Sequence, residues 1–502
     1  MRILVFLIPI VFCCCSASPT NESAVDSNTD TIEQTAPPTK SPNGSANTPD
    51  FTGYKIGDPV MGGPADIEVK VNGLPAGDYR LIGFYAEGHF LADSVKANAN
   101  GVIRIRDKEG YPQGLYYLTL TNNQLMQLVL GEDQKFKIQA NLADLNNSVQ
   151  VEGSKENELY YASMKFEADF SQRHREITSK IQGLQQGSAE RNALNKEKTD
   201  LEKSRLDYLD NMFSKYPDLL FVKFKMAGQN PIVRNDVPES EKVYYFRKEF
   251  WDNVDFSDRR LIRTPVILNK LKRYMTELTA QNQDSVFSSA KMLVDKAVPY
   301  PEYFKFFANW IVIKFEPSKT TLMDPESVFV NMVNNYFTKE LAFWSDSMEV
   351  YGIQRRAYEM GQSLLGLKGP NVISTDQFGN KQELYKKTAD YLIVYMYNPT
   401  CEHCMEQTPQ LVEWYNKNKN RDIDVYAIAI DTNEEEWKNY IKKTKMNFTN
   451  VFDATNRSIY AKYYVDVTPE IYVLNKDRTI IGKNLKVNQI DIILDRDRAK
   501  NQ

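Results

Sequence analysis

The feature that most constrains this chain is a pair of cysteines, Cys401 and Cys404, at the junction of a predicted strand and a predicted helix. The apolar run Tyr391–Tyr397 predicts a buried strand, residues 398–400 predict a turn, and apolar residues then recur at helical spacing. A buried strand that passes through a short turn into a helix is typical of α/β proteins. The other cysteines all lie within the first fifteen residues. Cysteine chemistry in the body of the chain therefore centres on this one pair.

The spacing of the pair has a chemical consequence. The first sulfur lies at the start of the helix, where unpaired backbone N–H groups and the helix dipole stabilise a thiolate over a thiol. His403, between the two cysteines, adds a hydrogen-bond donor and, when protonated, a positive charge. We therefore predict that Cys401 is an exposed nucleophile of lowered pKa and that His403 tunes that pKa. Cys404, one helical turn later, is placed to resolve a mixed disulfide by forming the intramolecular one.

Rival sites for the same pair can be tested on the neighbouring residues. Covalent haem attachment needs a histidine directly after the second cysteine, but Met405 stands there. A zinc site needs two further ligands, but no cysteine or histidine follows Cys404, and the same absence opposes copper delivery through a distal histidine. A peroxiredoxin-like PxxxTxxC pattern fails because Val394 and Asn398 hold the proline and threonine positions. A purely structural disulfide stays open as an alternative, and we predict no metal and no cofactor.

Composition limits the classes of function. The chain has 502 residues, which is enough for several domains that each bury a core. Lys and Arg number 62 against 66 Asp and Glu, a net charge of −4, and no long basic run is present, so we predict no nucleic-acid partner. Hydrophobic residues at 42% and charged residues at 25% are ordinary globular usage. A site that needs several imidazoles is hard to build because the chain has only 3 histidines, His89, His174 and His403.

The N-terminus has the layout of an export signal. Arg2 precedes an apolar run, residues 3–12, and three cysteines follow. Such a run forms a helix only about 15 Å long, half the hydrocarbon thickness of a bilayer, so a permanent membrane span is excluded. Residues 1–15 resemble bacterial lipoprotein signals, in which cleavage precedes an acylated cysteine, and the preference for small residues before it favours Cys14 or Cys15 over Cys13. Ordinary secretory cleavage after Ala17 is the alternative.

The pattern of the chain changes three times before the cysteine pair. Residues 16–50 are rich in proline and small polar residues and predict a disordered tether. Residues 52–153 carry short runs of period-2 alternation between turn signals, and predict an antiparallel β-sandwich, with a barrel as the alternative. Residues 154–350 have helical periodicity, with helix starts at Pro265 and Pro325, and predict an all-α middle domain.

The last part of the chain carries four linked motifs. They are the cysteine pair, Pro409 shortly after it, Thr468-Pro469 before a strand, and a hairpin turn at residues 475–478. Together they resemble a C-terminal α/β thioredoxin fold over residues 367–495, of the TlpA/ResA-like group of exported thiol–disulfide oxidoreductases. That resemblance implies that Thr468 and Pro469 form the wall against which a partner binds.

The chain also departs from this group. Thr400 stands where an aromatic residue is usual, and the strand before the cysteines has no internal acid, so that the proton path is open. The β and helical segments resemble the domains that precede thioredoxin-like domains in many lipoproteins of the Bacteroidota. This second resemblance bears on architecture and location and implies no substrate.

The resemblance implies an exported, lipid-anchored thiol–disulfide oxidoreductase that faces the periplasm from the inner or outer membrane. The expected partners are periplasmic protein thiols and disulfides, together with a membrane electron donor. The alternative is a ligand- or protein-binding scaffold lipoprotein whose thioredoxin-like domain is vestigial. The intact residues Cys401, Cys404 and Pro469 argue against such decay.

Overall fold

The computed structural model describes residues 51, 57–145, 147–455 and 458–500. The predicted signal peptide, its candidate acylated cysteines Cys14 and Cys15, and the predicted tether lie outside these residues. Along the described ranges, no helix combines the length and the apolar character needed to cross a membrane. The described residues form three successive parts: an N-terminal sheet, a helical middle region and a C-terminal α/β domain.

The N-terminal part is one mixed sheet of eight strands in the order β6-β5-β2-β3-β4-β1-β7-β8. Its period-2 pattern is clear in β1, where Ile67 and Val69 are fully buried while Glu68 and Lys70 stay partly exposed. The strands are β1 Ala65–Asn72, β2 Gly77–Tyr85, β3 Gly88–Ala97, β4 Val102–Asp107, β5 Gly114–Thr119, β6 Leu125–Leu130, β7 Lys135–Asn141 and β8 Gln150–Glu152.

The sheet differs from the predicted antiparallel β-sandwich in two respects. The strands form a single layer curled into a half-barrel rather than two packed sheets, and the pair β1 and β7 is parallel. Curling lets one sheet wrap its apolar face around a core to which β1 through β7 all contribute. A curled sheet and a sandwich bury alternate side chains in the same way, so the alternation in the sequence does not separate them.

The middle region is all-α along the described chain. The region begins with two long helices, α1 and α2, which Glu167 and Arg205 join at 2.9 Å. The predicted helix starts at Pro265 and Pro325 are confirmed. The helices are α1 Lys155–Gln182, α2 Ala189–Lys215, α3 Leu220–Ala227, α4 Glu239–Glu249, α5 Pro265–Thr276, α6 Gln283–Ala297, α7 Pro301–Lys314, α8 Pro325–Tyr336 and α9 Ser347–Met360.

The C-terminal domain is a seven-stranded sheet in the order β10-β9-β13-β12-β11-β14-β15, with helices α10 to α13. The central strand β11 is parallel to β12 and antiparallel to β14. The elements are β9 Ile373–Asp376, β10 Lys381–Glu383, β11 Tyr391–Tyr397, α10 Glu402–Asn418, β12 Ile423–Ala429, α11 Glu434–Thr444, β13 Thr449–Phe452, α12 Ser458–Tyr463, β14 Glu470–Leu474, β15 Ile480–Gly482 and α13 Ile490–Lys500.

Strand β11 fixes the position of the cysteine pair. All of its residues are buried because both faces of the sheet are covered. Ile393 and Tyr395 enter one core together with Leu411 of α10, whereas Leu392 and Val394 enter the core on the opposite face. The turn after β11 leads directly into α10, so the cysteines lie at the carboxyl end of this fully buried strand.

The helical region and the C-terminal domain contact each other. Met323, just before α8, packs against the core of the C-terminal domain. In the opposite direction, Tyr464 packs against the core of the helical region. Lys483 of the C-terminal domain forms a buried ion pair with Glu326 of α8 at 3.1 Å.

Candidate active site

The turn before α10 is shaped by Asn398. Its side-chain oxygen accepts hydrogen bonds from the backbone N–H of Thr400 at 2.8 Å and from the Thr400 hydroxyl at 2.7 Å. Its backbone carbonyl accepts from the N–H of Cys401 at 3.1 Å. An asparagine that bonds to the backbone two residues on is a standard way to form such a turn. The turn places Cys401 at the N-cap of α10.

Cys401 is half-buried, and its environment favours the thiolate. Burial alone raises the pKa of a cysteine, but here hydrogen bonds to the sulfur outweigh that effect. They come from the backbone N–H of Cys404, the side chains of Thr468 and Cys404, and the backbone N–H of His403. The pKa of Cys401 therefore lies below its ordinary value of 9.0. This is the direction that the helix start predicts.

Cys404 has the opposite character. Its side chain is fully buried in the core beneath α10. Burial raises its pKa to about 12, although the N–H of Asn398 donates to its sulfur at 3.5 Å. Both cysteines are free thiols in this structure. The pair therefore joins one accessible, acidic sulfur to one inaccessible sulfur that keeps its proton.

His403 is exposed, and the contact that it makes with Cys401 is through its main chain. Within the described ranges, the imidazole takes part in no hydrogen bond and no ion pair. The role of His403 as a pKa tuner stays a prediction, and the geometry attributes part of that role to the backbone N–H of the same residue.

Thr468, 67 positions along the chain from Cys401, contacts the cysteine pair, and Pro469 follows it. The peptide bond between them is cis. The thiol of Cys401 donates to the backbone oxygen of Thr468 at 3.2 Å. The structure thus brings Cys401, Cys404 and Thr468 together. Pro409 lies inside α10, as the resemblance implies.

Sequence reasoning missed a buried hydroxyl network beneath α10. Tyr395 of β11 lies 2.7 Å from the hydroxyl of Thr408, which lies 2.9 Å from that of Tyr440. Tyr440 donates in turn to the backbone oxygen of Cys404 at 3.0 Å. The signal in the sequence was Tyr395, a polar group in the middle of an otherwise apolar strand.

Comparisons with known proteins match two parts of the chain. A family model described as thioredoxin-like matches residues 389–480, and one described as a domain of unknown function (DUF5106) matches residues 185–350. The thiol-disulfide oxidoreductase ResA of Bacillus cereus (strain ZK / E33L) is 26% identical over 119 residues, which are 24% of this chain and 68% of that protein. ResA of Bacillus anthracis is 25% identical over 126 residues, 24% of this chain and 72% of that protein.

Two solved structures show related similarity. A domain of a possible thiol-disulfide isomerase from Cytophaga hutchinsonii is 34% identical and covers 27% of this chain and 95% of its own, with a TM-score of 0.26. A thioredoxin-like protein from Bacteroides caccae is 19% identical and covers 53% of this chain and 97% of its own, with a TM-score of 0.45. On the family model and the ResA sequences, the C-terminal domain makes this chain a thiol–disulfide oxidoreductase of the thioredoxin-like family, TlpA/ResA type.

Proposed function

We propose that Cys401 and Cys404 are the redox centre of this enzyme and exchange disulfides with partner proteins. The observation that carries the proposal is the asymmetry of the pair. Cys401 is accessible, with a pKa below 9.0, whereas Cys404 is buried, with a pKa of about 12. A low-pKa, exposed sulfur is suited to attack a partner, and a buried one next to it is protected from partners and suited to resolve.

In the reducing direction, the Cys401 thiolate attacks one sulfur of a partner disulfide and breaks its S–S bond. The other partner sulfur leaves as a thiolate and takes up a proton from solvent. Cys404 then gives up its proton and attacks the sulfur of Cys401, which breaks the mixed disulfide and releases the second partner thiol. Two electrons pass from the cysteine pair to the partner, and the reverse sequence oxidises the partner.

Partner binding is assigned to Thr468 and Pro469, beside Cys401. The backbone oxygen of Thr468 is already within hydrogen-bond distance of the attacking sulfur. A partner chain that enters the site therefore meets this segment and the sulfur together.

The two cysteine variants test the proposal. Cys404→Ser is expected to accumulate mixed disulfides with its natural partners, because the first attack still occurs while the resolving thiol is gone. Cys401→Ser is the matched control and is expected to trap none. Non-reducing electrophoresis of both variants, expressed in their native compartment, gives the answer. If both trap the same species, or neither traps any, the thioredoxin-like site is not in use and the scaffold alternative gains.

The place of action is proposed to be the cell envelope, with a lipid anchor at Cys14 or Cys15. Support comes from the apolar run at residues 3–12 and the cysteines that follow it. Labelling with a radioactive fatty acid is expected in the wild-type chain and to be lost when both cysteines are replaced by alanine. Undiminished labelling of that variant contradicts the proposed anchor.

A membrane electron donor is proposed to return the pair to the dithiol state after each reducing cycle. Rapid alkylation of whole cells, followed by mass spectrometry of the cysteine peptide, is expected to find mainly the alkylated dithiol. A pair found mainly as the disulfide in growing cells contradicts a donor and favours the oxidising direction.

A further inference from the structure

One wall of the redox site is a short segment between α12 and β14, residues 464–470, which we call the 464–470 wall. Thr468 lies in its middle and contacts Cys401 through its backbone oxygen and its side chain. The backbone oxygen accepts from the thiol form of Cys401, whereas the Thr468 side chain acts to lower the pKa of Cys401, and that side-chain contact depends on the position of the wall.

The first end of the wall is held by helix α9 of the helical region. The Nε of Arg356 donates to the hydroxyl of Tyr464 at 2.9 Å, and its Nη2 donates to the carboxylate of Asp466 at 3.3 Å. The same guanidinium lies 3.7 Å from Glu316 and 5.1 Å from the ring centre of Phe329, both in the helical region. Arg356 is therefore held by residues of the helical region and contacts the wall in the C-terminal domain.

Tyr464 gives a second, independent sign that the wall is held from outside. Its backbone φ is 53°, in the left-handed region that residues with a side chain enter at a cost in free energy. Its ring packs against the core of the helical region. This backbone conformation persists because tertiary contacts with that region support it.

The other end of the wall is held by a cluster of buried ionisable groups. Glu470 follows Pro469 as the first residue of β14 and is buried next to Lys483. The ammonium of Lys483 lies 3.1 Å from Glu326 and 3.4 Å from Asp324. Both of these carboxylates belong to the start of α8, and all the groups of the cluster are buried. The helical region therefore contacts the first end of the wall directly, through Tyr464 and Asp466, and is linked to Glu470 at the other end through Lys483.

We propose that the helical region positions the redox site, with Arg356 as a positioning residue that keeps the side chain of Thr468 in hydrogen-bond contact with Cys401. The proposal rests on the proposed role of Cys401 as the nucleophile. The helical region thereby sets the fraction of Cys401 that is thiolate, and so affects the reaction through the redox site.

The test is the pH profile of Cys401 alkylation in the reduced, full-length protein. Arg356→Gln is expected to raise the pKa of Cys401 by about half a unit, which lowers the alkylation rate at pH 7 about threefold. Arg355→Gln is the matched control. Arg355 is the neighbour of Arg356 on α9, its side chain is 66% exposed, and it forms an ion pair with Glu359 of the same helix. The control is expected to keep the wild-type profile.

A second variant separates positioning from simple charge. Asp466→Asn removes a negative charge, so a purely electrostatic effect lowers the pKa of Cys401, whereas loss of the contact with Arg356 raises it. A raised pKa in both Arg356→Gln and Asp466→Asn supports the proposal. Opposite shifts in the two variants, or a wild-type profile in a folded Arg356→Gln protein, overturn it. Because Asp466 is on the exposed side of the wall, this variant decides the matter even if Arg356→Gln fails to fold.

The same measurement keeps the two proposals apart. A wild-type protein in which Cys401 titrates like an ordinary cysteine overturns the proposed redox role and the positioning role together. A wild-type protein with a low Cys401 pKa that no wall variant changes leaves the redox role standing and removes only the part of the helical region.

Discussion

Replacement of Glu470 by glutamine is expected to change how the stability of this protein depends on pH. Glu470, the last residue of the 464–470 wall, is buried near Lys483, and its side-chain oxygen accepts a hydrogen bond from Tyr472 at 2.7 Å. Burial raises its pKa from 4.5 to about 8, with Lys483 acting in the opposite direction. At neutral pH, Glu470 is therefore mostly protonated in the folded protein and ionised in the unfolded chain. Glutamine has the shape of the protonated acid and keeps the acceptor for Tyr472.

The sign of the effect follows from proton binding. Between pH 4.5 and pH 8 the folded state holds a proton on Glu470 that the unfolded chain releases. Stability therefore falls as pH rises through this window. Linkage between an unfolded pKa of 4.5 and a folded pKa of about 8 gives a loss of about 2 to 3 kcal/mol from pH 5 to pH 7. Glu470→Gln has no proton to lose and is expected to escape this loss.

Urea unfolding of the reduced protein at pH 5 and pH 7 measures the difference. From pH 5 to pH 7, the free energy of unfolding of Glu470→Gln is expected to rise by about 2 to 3 kcal/mol relative to that of wild type. Glu406→Gln, which removes an exposed carboxylate from α10, is the matched control and is expected to show the wild-type dependence. A Glu470→Gln protein that follows the wild-type pH dependence, or that loses stability relative to wild type as pH rises, contradicts the raised pKa of Glu470 in the folded state.

Three further outcomes are expected. Limiting iodoacetamide at pH 7 labels Cys401 in preference to Cys404, because a pKa of about 12 leaves Cys404 with roughly a thousandfold less thiolate than a cysteine of pKa 9.0, and the pKa of Cys401 lies below 9.0. Peptide mass spectrometry measures the labelling ratio, and preferential labelling of Cys404 contradicts the geometry. His403→Pro, which removes a backbone N–H together with the imidazole, raises the pKa of Cys401 by about one unit, whereas His403→Gln, which removes only the imidazole, raises it by less; equal shifts in the two alkylation profiles assign the whole effect to the imidazole. Lys483→Met lowers the free energy of unfolding by about 3 to 5 kcal/mol, because buried carboxylates of α8 lose their cation; urea unfolding tests this against the exposed Lys476→Met, and equal stability of the two variants contradicts it.

Local patterns in the sequence predict the framework of the site well. The apolar run Tyr391–Tyr397 is a strand with those same bounds, and the helix begins one residue after Cys401. Strand periodicity, turn chemistry and helix capping depend on residues that are close in sequence. The lowered pKa of Cys401 follows from the helix start and is predicted for the same reason.

The N-terminal sheet shows where the local pattern stops being informative. Strands β3 and β6 are not evident from period-2 alternation, because the side chains of Gly88–Ala97 do not alternate cleanly and Leu125–Leu130 is nearly continuous in its burial. The parallel pairing of β1 with β7 joins residues about seventy positions apart. Alternation identifies the buried face of a strand, but whether a second sheet or the curl of the same sheet covers that face is a tertiary property.

The charged groups around the 464–470 wall are the hardest part of the site to predict. A sequence reading assigns Asp324, Glu326 and Lys483 to the solvent, since charged residues are seldom buried without a partner. Their partners lie more than 150 positions away along the chain. Only the folded chain brings the start of α8 against the end of β15 and thereby makes their burial possible.

The sequence pattern correctly predicts strand β11 before the cysteines, but it does not show the hydroxyl network that this strand joins. No acid is present in Tyr391–Tyr397. The buried polar group of this strand beneath α10 is the hydroxyl of Tyr395, which is linked through Thr408 and Tyr440 to the backbone oxygen of Cys404. A carboxylate buried there needs a compensating charge, and its own negative charge raises the pKa of a neighbouring thiol. Neutral hydroxyls satisfy one another and fix the position of the resolving cysteine without adding charge. Burial is thus left as the largest cause of the raised pKa of Cys404, and the strand supplies position rather than a titrating group.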